Sequence, residues 1–261
     1  MIVTLWHYRG FIAASVRRDF HARYRASALG GLWAVINPLA QILVFTAVLA
    51  GVMRARLPGV DTTFGYSIFL TSGIITWGLF TEIVTRCTGV FVENGNLLKK
   101  QSFPRICLPA IVVTTALLNF VIILILFLGF LAMTGHLPGA PLIAMLPILA
   151  IQVTFAAGLG VLLGVANVFY RDIAPVEAIV LQFWFWLTPI IYPLSIVPPA
   201  LQGFIEANPA TAIARAYQDI FVASRWPDFA SLAGPGLLAL VAAVAGYRFF
   251  RSRSADMVDE L

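Results

Sequence analysis

From Ile106 to Tyr170 the chain carries no Asp, Glu, Lys or Arg, and its apolar run is broken only by the turn Gly135-His136-Leu137-Pro138-Gly139. Crossing a hydrocarbon core of about 30 Å takes roughly 20 apolar residues in a helix. Segments 108–133 and 142–169 each supply that length, so the pattern predicts a helical hairpin immersed in lipid. Four more apolar stretches, 33–53, 64–84, 174–193 and 229–247, bring the expected number of spans to six. The fold class expected is an all-α polytopic membrane protein.

Three stretches are neither spans nor simple turns. In the arm 12–29, Ile12, Val16, Phe20 and Tyr24 repeat at helical spacing while Arg17, Arg18, His21 and Arg25 take the other arc. This predicts an interfacial amphipathic helix whose arginines meet anionic lipid. Asp19 and Arg23 fall near its apolar side and are spaced to pair with each other. In 93–105, Asn96 is the expected N-cap, and Pro104 forces Phe103 out of helical geometry, which brackets a helix of about two turns over 96–102. A short stiff helix at the end of two spans is a lever, although a plain basic loop would also orient the chain. Segment 194–228 is too apolar for a solvated loop, and its first apolar part, 196–205, is too short to cross. Asn208-Pro209 provides an N-cap and a first-turn proline there, and Ile213, Tyr217, Ile220 and Phe221 share one face, with Arg215, Gln218 and Asp219 elsewhere. Two small helices dipping into the outer leaflet are expected, as a gate or as a lid.

Composition excludes a water-soluble reading: 60% of the 261 residues are hydrophobic and 11% charged, with a mean hydropathy of +0.91. A net charge of +5 is too small to indicate nucleic-acid binding. Its distribution is more informative. Thirteen of the seventeen Lys and Arg lie on one side of the expected topology, in the N-terminal arm, the loop with Lys99, Lys100 and Arg105, the turn with Arg171 and the C-terminal tail. Arg54, Arg56, Arg215 and Arg225 fall on the other side. By the positive-inside rule the first side is cytoplasmic, with both termini on it. No cleavable signal is expected, because Arg9 interrupts the early apolar run. Cys87 and Cys107 provide no disulfide framework and are expected to remain thiols.

Candidate chemistry is sparse. His7, His21 and His136 all lie outside the spans, and HExxH, CxxC and GxSxG patterns are absent, so metal and hydrolase sites lack support. A Walker A motif needs Lys followed by Ser or Thr, yet Lys99 precedes Lys100 and Lys100 precedes Gln101. ATP-driven work must therefore come from a partner. Glu82 and Arg86 are four apart in a span and can neutralise each other, while Glu177 sits near enough to a span end to snorkel. Phe183-Trp184-Phe185-Trp186, followed by Tyr192, places aromatic faces in mid-span, suited to a carbohydrate conduit and equally to lipid or helix packing. Successive helix positions diverge, so about half of them can face one pathway.

The run from Arg18 through Leu29-Gly30-Gly31-Leu32-Trp33 to Asn37-Pro38 resembles the permease subunits of type-2 ABC exporters for polysaccharides. The resemblance continues at Trp77, Leu98, Lys100, Phe103-Pro104 and Pro109, at Tyr170-Arg171-Asp172-Ile173, and at Phe185-Trp186-Leu187-Thr188-Pro189-Ile190-Ile191-Tyr192 and Asn208-Pro209. It implies an arm (1–32), a transmembrane domain (33–253) and a cytoplasmic tail (254–261). It further implies a homodimer joined by two ABC ATP-binding subunits, which hold ATP and Mg, in a bacterial inner membrane, exporting a lipid-linked (undecaprenyl-type) polysaccharide such as O-antigen or capsule. Arg23, Tyr24 and Arg25 would receive the lipid pyrophosphate. Asn96, Leu97, Leu98, Lys99, Lys100, Gln101 and Arg105 would form the coupling helix and its flank, with Arg171 and Asp172 as a second contact. Pro198, Pro199, Asn208, Pro209 and Tyr217 would belong to the outer gate, where Gln218 replaces the Arg frequent in the family. A permease for drugs or small lipids, a membrane-embedded glycan-processing enzyme and an assembly scaffold are the competing readings.

Overall fold

The computed structural model describes residues 6–24, 32–48, 64–100 and 104–260, and every regular element among them is helical. In chain order these are α1 (Arg9–Tyr24), α2 (Trp33–Phe45), α3 (Gly65–Glu93), α4 (Gly95–Lys100), α5 (Cys107–Thr134) and α6 (Met145–Phe169), the last entered through a 3-10 turn at Ala140–Ala144. They continue as α7 (Ile173–Trp186), α8 (Pro199–Glu206), α9 (Pro209–Phe221), α10 (Ala233–Arg253) and α11 (Met257–Glu260). Four segments, Gly65–Glu93, Cys107–Thr134, Ala140–Phe169 and Ala233–Arg253, are long and apolar enough to cross a membrane. These correspond to the expected spans 64–84, 108–133, 142–169 and 229–247. One end of the bundle carries α4, Arg105, Arg171 and the arginines of α10 and is called the basic end below; the opposite end carries α8 and α9.

The other two expected spans differ. The stretch 33–53 is helical as α2, and its last residues, with Arg54 and Arg56, lie outside the described residues. The stretch 174–193 is helical only to Trp186. Its 14 residues cover about 21 Å at a rise of 1.5 Å each, short of a hydrocarbon core of about 30 Å. The cause is local: Pro189 disfavours helical geometry at Thr188, whose hydroxyl instead donates to the Trp184 carbonyl at 2.8 Å. Helix α3, by contrast, runs on past 84 to Glu93 and at 29 residues is about 44 Å long.

The core is built around α6. Apolar side chains gain little by leaving lipid for one another, so close backbone approach must hold helices together in a membrane. Glycines supply it on two faces. A Cβ on Gly160 would stand 2.6 Å from the Cys87 Cβ of α3, and one on Gly164 would collide with the Cys87 carbonyl oxygen. On the other face, a Cβ on Gly158 would strike the Ala243 backbone of α10, and one on Gly246 would strike the Gly158 carbonyl. Polar crossbars supplement the contact. Gln152 Nε2 donates to the Thr76 carbonyl at 2.6 Å, Asn167 Nδ2 to the Thr88 carbonyl at 3.1 Å, and Thr85 Oγ1 to Glu177 Oε1 at 2.7 Å. Glu177 is therefore a buried acceptor in the α3–α7 contact and does not snorkel.

The turn between α5 and α6 follows the expected punctuation. Gly135 takes φ +75° and Gly139 φ +61°, both left-handed, and the His136 amide returns to the Leu131 carbonyl at 2.8 Å to close the helix. Replacing Gly164 by Leu is expected to lower stability by about 3 kcal/mol, at the top of the usual overpacking range. Gly129→Leu on α5, where nothing lies within 4 Å of an added Cβ, should change it little. Thermal unfolding of the two variants in one detergent checks this contrast, and equal melting points would contradict the packing argument.

Candidate functional site

The residues expected to meet a motor gather at the basic end. Helix α4 follows α3 after a single residue, Asn94, whose carbonyl accepts from the Leu97 and Leu98 amides and whose side chain donates to the Val90 carbonyl at 2.8 Å. Asn94 therefore makes the junction, and the helix starts at Gly95, one residue before the expected cap Asn96. Asn96 and Lys99 are exposed, Leu97 is half-buried and Leu98 is buried in the core. This is the split expected of a lever with an apolar root and a polar face. The Lys100 side chain and Gln101 lie outside the described residues. Arg105 Nη1 donates to Ser254 Oγ at 3.1 Å, and the Arg253 guanidinium sits 5.8 Å from the centre of the Phe169 ring, a cation–π contact. Helix α11, anchored by the fully buried Met257, touches both α4 and α6. The C-terminal segment thus ties α4 and Arg105 to the end of α6, where Arg171 and Asp172 stand exposed in the turn into α7.

The arm is fastened by charge. Helix α1 lies along α5, burying Ser15 and Val16, while Arg17 and Arg18 are exposed as the helical spacing predicts. Asp19 Oδ2 receives Arg86 Nη2 at 2.5 Å, and the expected pairing with Arg23 falls outside the described residues. Arg86 Nη1 lies 3.6 Å from Glu82 Oε1, and Glu82 Oε2 accepts from Asn119 Nδ2 at 3.0 Å. The expected intrahelical pair is consequently one link of a chain joining α1, α3 and α5. Such a chain costs less in lipid than any of its charges alone. The side chains of Arg23 and Tyr24, and all of Arg25, lie outside the described residues.

At the far end the broken α7 continues into a plug, residues 187–198, held by side chains from two helices and from the plug itself. Tyr66 of α3 donates to the Ile191 carbonyl at 2.5 Å, Gln218 of α9 to the Pro189 carbonyl at 2.9 Å, and Tyr192 to the Trp186 carbonyl at 2.8 Å. Ile190 lies against Gly73, where an added Cβ would come within 2.9 Å of its Cγ2. Asn208 is the hub. Its Oδ1 caps α9 at the Ala210 amide (3.0 Å) and accepts from Trp184 Nε1 (2.8 Å), while Nδ2 donates to Thr188 Oγ1 (3.1 Å) and the Leu187 carbonyl (3.3 Å). Pro209 follows as the first residue of α9, and Pro198-Pro199 opens α8 in the same way.

Helix α9 buries Ile213, Tyr217, Ile220 and Phe221 as expected, and exposes Arg215. Gln218, assigned to the polar arc, is instead buried over the plug. Tyr217 is fully buried, which pushes its phenol above the usual range and keeps it neutral.

The aromatic run divides as helix geometry demands. Trp184 and Phe185 turn inward against Trp77, and Trp184 also meets Phe80 and Phe155. Phe183 and Trp186 are exposed, in line with Val176, Ile179 and Val180. The void beside the inner aromatics measures about 20 Å³, room for one water. Among the described residues no group of three His, Cys, Asp or Glu is arranged to hold a metal. Sequence reasoning missed the Asp19–Arg86 link and the Gln218 contact, both of which join distant segments. It also missed Gly160-x-x-x-Gly164, which is visible as a small-residue motif for helix contact.

A charge-poor helical body, a basic platform at one end and a plugged opposite end define the membrane-embedded half of a transporter that lacks its own ATPase motif. The chain belongs to the ABC-2 type transporter family, whose membrane model matches residues 11–222. It is 31% identical over 263 residues to the O-antigen export system permease protein RfbA of Myxococcus xanthus, covering 100% of this chain and 99% of that protein. It is 29% identical over 206 residues to the protein of the same name from Klebsiella pneumoniae, covering 78% and 77% of the two chains. To the polysialic acid transport protein KpsM of Escherichia coli it is 22% identical over 251 residues, 95% of each chain.

The hub yields a graded prediction. Asn208→Ala removes every side-chain bond at the junction and is expected to cost about 2 kcal/mol. Asn208→Asp keeps the two bonds accepted by Oδ1 and should lose roughly half as much. Thermal unfolding of both variants checks the order, and an aspartate as damaging as alanine would contradict it.

Proposed function

We propose that this chain is the membrane permease of an ATP-driven polysaccharide exporter. It acts as a homodimer with two separate ATP-binding subunits and carries a lipid-linked glycan of O-antigen or capsular type outward across the bacterial cytoplasmic membrane, both termini inside. The observation that carries the reading is the platform at the basic end. A six-residue helix with exposed Asn96 and Lys99 is rooted by Leu98, follows the 29-residue α3 after the single residue Asn94, and shares the basic end with the exposed Arg171-Asp172 turn. The absence of any Lys-Ser or Lys-Thr pair removes the nucleotide-binding lysine of a Walker A motif from this sequence, and the O-antigen and polysialic acid transport of the named relatives supports the cargo class.

The same geometry gives a route for the stroke. Helix α3 starts at the plug, through Tyr66 and Gly73, and ends at α4, so a displacement of the lever is delivered along one rod. Partnering of two copies is supported by α7 and the plug. Irregular backbone is tolerated at membrane depth only against protein or a water-lined path, and the exposed Phe183 and Trp186 lie on that side. A polysaccharide has no way through the 20 Å³ void inside one chain; a path between copies, walled by these aromatics, accommodates it. Arg23, Tyr24 and Arg25, at the end of the arm, are assigned to the lipid pyrophosphate on the chemistry of the guanidinium fork.

Co-purification tests the reading. An ABC ATP-binding protein is expected to stay bound to this chain in nanodiscs. Changing Lys99, Lys100 and Arg105 together to Ala should weaken that association roughly tenfold or more with the melting point retained. No bound ATP-binding protein, or binding unaffected by the triple change, would overturn the coupling assignment.

A further inference from the structure

A cavity of about 340 Å³ lies between the arm and the basic ends of α3 and α5, and none of the assignments above uses it. One wall is largely polar: Ser15, Arg18 and Asp19 from α1 with Arg86 and Glu93 from α3 and the junction residue Asn94, Val90 lying between them. The facing wall, Leu108, Ile111 and Val112, belongs to the first turns of α5, where a membrane span begins. Water alone would place about eleven molecules there, at about 30 Å³ each, against an apolar surface. A chamber charged on one side and apolar on the other, at the depth where a span enters lipid, matches an amphipath.

The charges select its head. Two guanidiniums, Arg18 and Arg86, are set against the carboxylates Asp19 and Glu93, with Glu82 beside Arg86. A free anion would meet more carboxylate than guanidinium, and a simple cation would be repelled by both arginines. A zwitterion answers both. Arg86 Nη1 is buried, makes no hydrogen bond, and has its nearest carboxylate oxygen, Glu82 Oε1, at 3.6 Å, so the guanidinium on this wall keeps a donor unused. Ser15 Oγ accepts from Arg18 Nη2 at 2.9 Å, which leaves its own proton free to donate.

Two turns along α3, on the same face, stands Glu93, exposed and without an ion pair among the described residues. Beside it the Asn94 amide nitrogen gives one of its two protons to the Val90 carbonyl, and the side-chain oxygen offers an acceptor. Both groups there accept hydrogen bonds, so the positive end of the ligand must donate them. A primary ammonium can; a quaternary one cannot.

We propose that this cavity binds a zwitterionic phospholipid with a primary amine, a phosphatidylethanolamine of the surrounding bilayer. Its phosphate meets Arg86 and Ser15, its ammonium meets Glu93 and Asn94, and its glycerol end rests on Leu108, Ile111 and Val112. The lipid bridges α1 to α3 and so sets the position of the arm.

Native mass spectrometry of the full chain, given equal amounts of phosphatidylethanolamine, phosphatidylcholine and phosphatidylglycerol with identical acyl chains, tests this directly. One phosphatidylethanolamine should be retained per chain, preferred about tenfold over each of the others. Glu93→Gln, on an exposed position that leaves the fold undisturbed, should erase the preference over phosphatidylcholine. Ile111→Trp, filling the chamber, should abolish retention of all three. Retention of no lipid, equal or greater retention of phosphatidylglycerol, or an unchanged preference in Glu93→Gln would overturn the assignment.

Discussion

The glycine faces of α6 set the rest of the molecule. Lipid gives apolar helices little reason to leave it for each other, so a stable arrangement needs backbones near enough for dense dispersion contact and a few buried hydrogen bonds. Gly160 and Gly164 bring α6 onto Cys87 of α3, and Gly158 with Gly246 brings α10 onto its other side. The crossbars from Gln152 and Asn167 then fix the register of α6 on α3, because a one-turn slip would strand both amides in a dry interior. With three helices locked in this way, the outlying elements have a rigid body to be positioned by.

Helix α3 gains most from that constraint. It is the longest helix among the described residues, it borders the plug at one end, and at the other it passes through Asn94 into α4. The basic end and the plug are thus joined by a rod clamped along its length. The arm is attached to the same rod through Asp19 and Arg86. A change in the tilt of α3 therefore acts on α4, the arm and the plug together, which is the economy that the proposed function asks of a permease driven by a separate ATP-binding subunit.

How much of this was legible in the sequence follows from the range of each interaction. The hairpin of α5 and α6 stood out because a charge-free run and a Gly-Pro-Gly turn are local signals, and the structure bears out its limits within a few residues. The N-cap Asn208 and the buried face of α9 were local too. The early end of α7 was hidden because 187–193 remains apolar while Thr188-Pro189 breaks the helix, so hydropathy and backbone geometry disagree there. The glycines of α6 were counted as merely apolar, although what matters is the side chain they lack. Asp19–Arg86 spans 67 residues and Gln218–Pro189 spans 29, and no periodicity within one helix encodes either. Leu98 and Lys99 followed the expected division into root and face, whereas Asn94 displaced Asn96 at the junction because α3 runs on unbroken to meet it.

Hydrogen exchange of the backbone amides of 187–198, followed in the permease bound to its ATP-binding partner, tests the coupling of lever to plug most directly. If α3 transmits the stroke, trapping ATP on the partner should speed exchange at Thr188, Ile190 and Val197, and the nucleotide-free complex should restore their protection. Identical exchange in the two states, in a complex that still exports polysaccharide, would contradict the account.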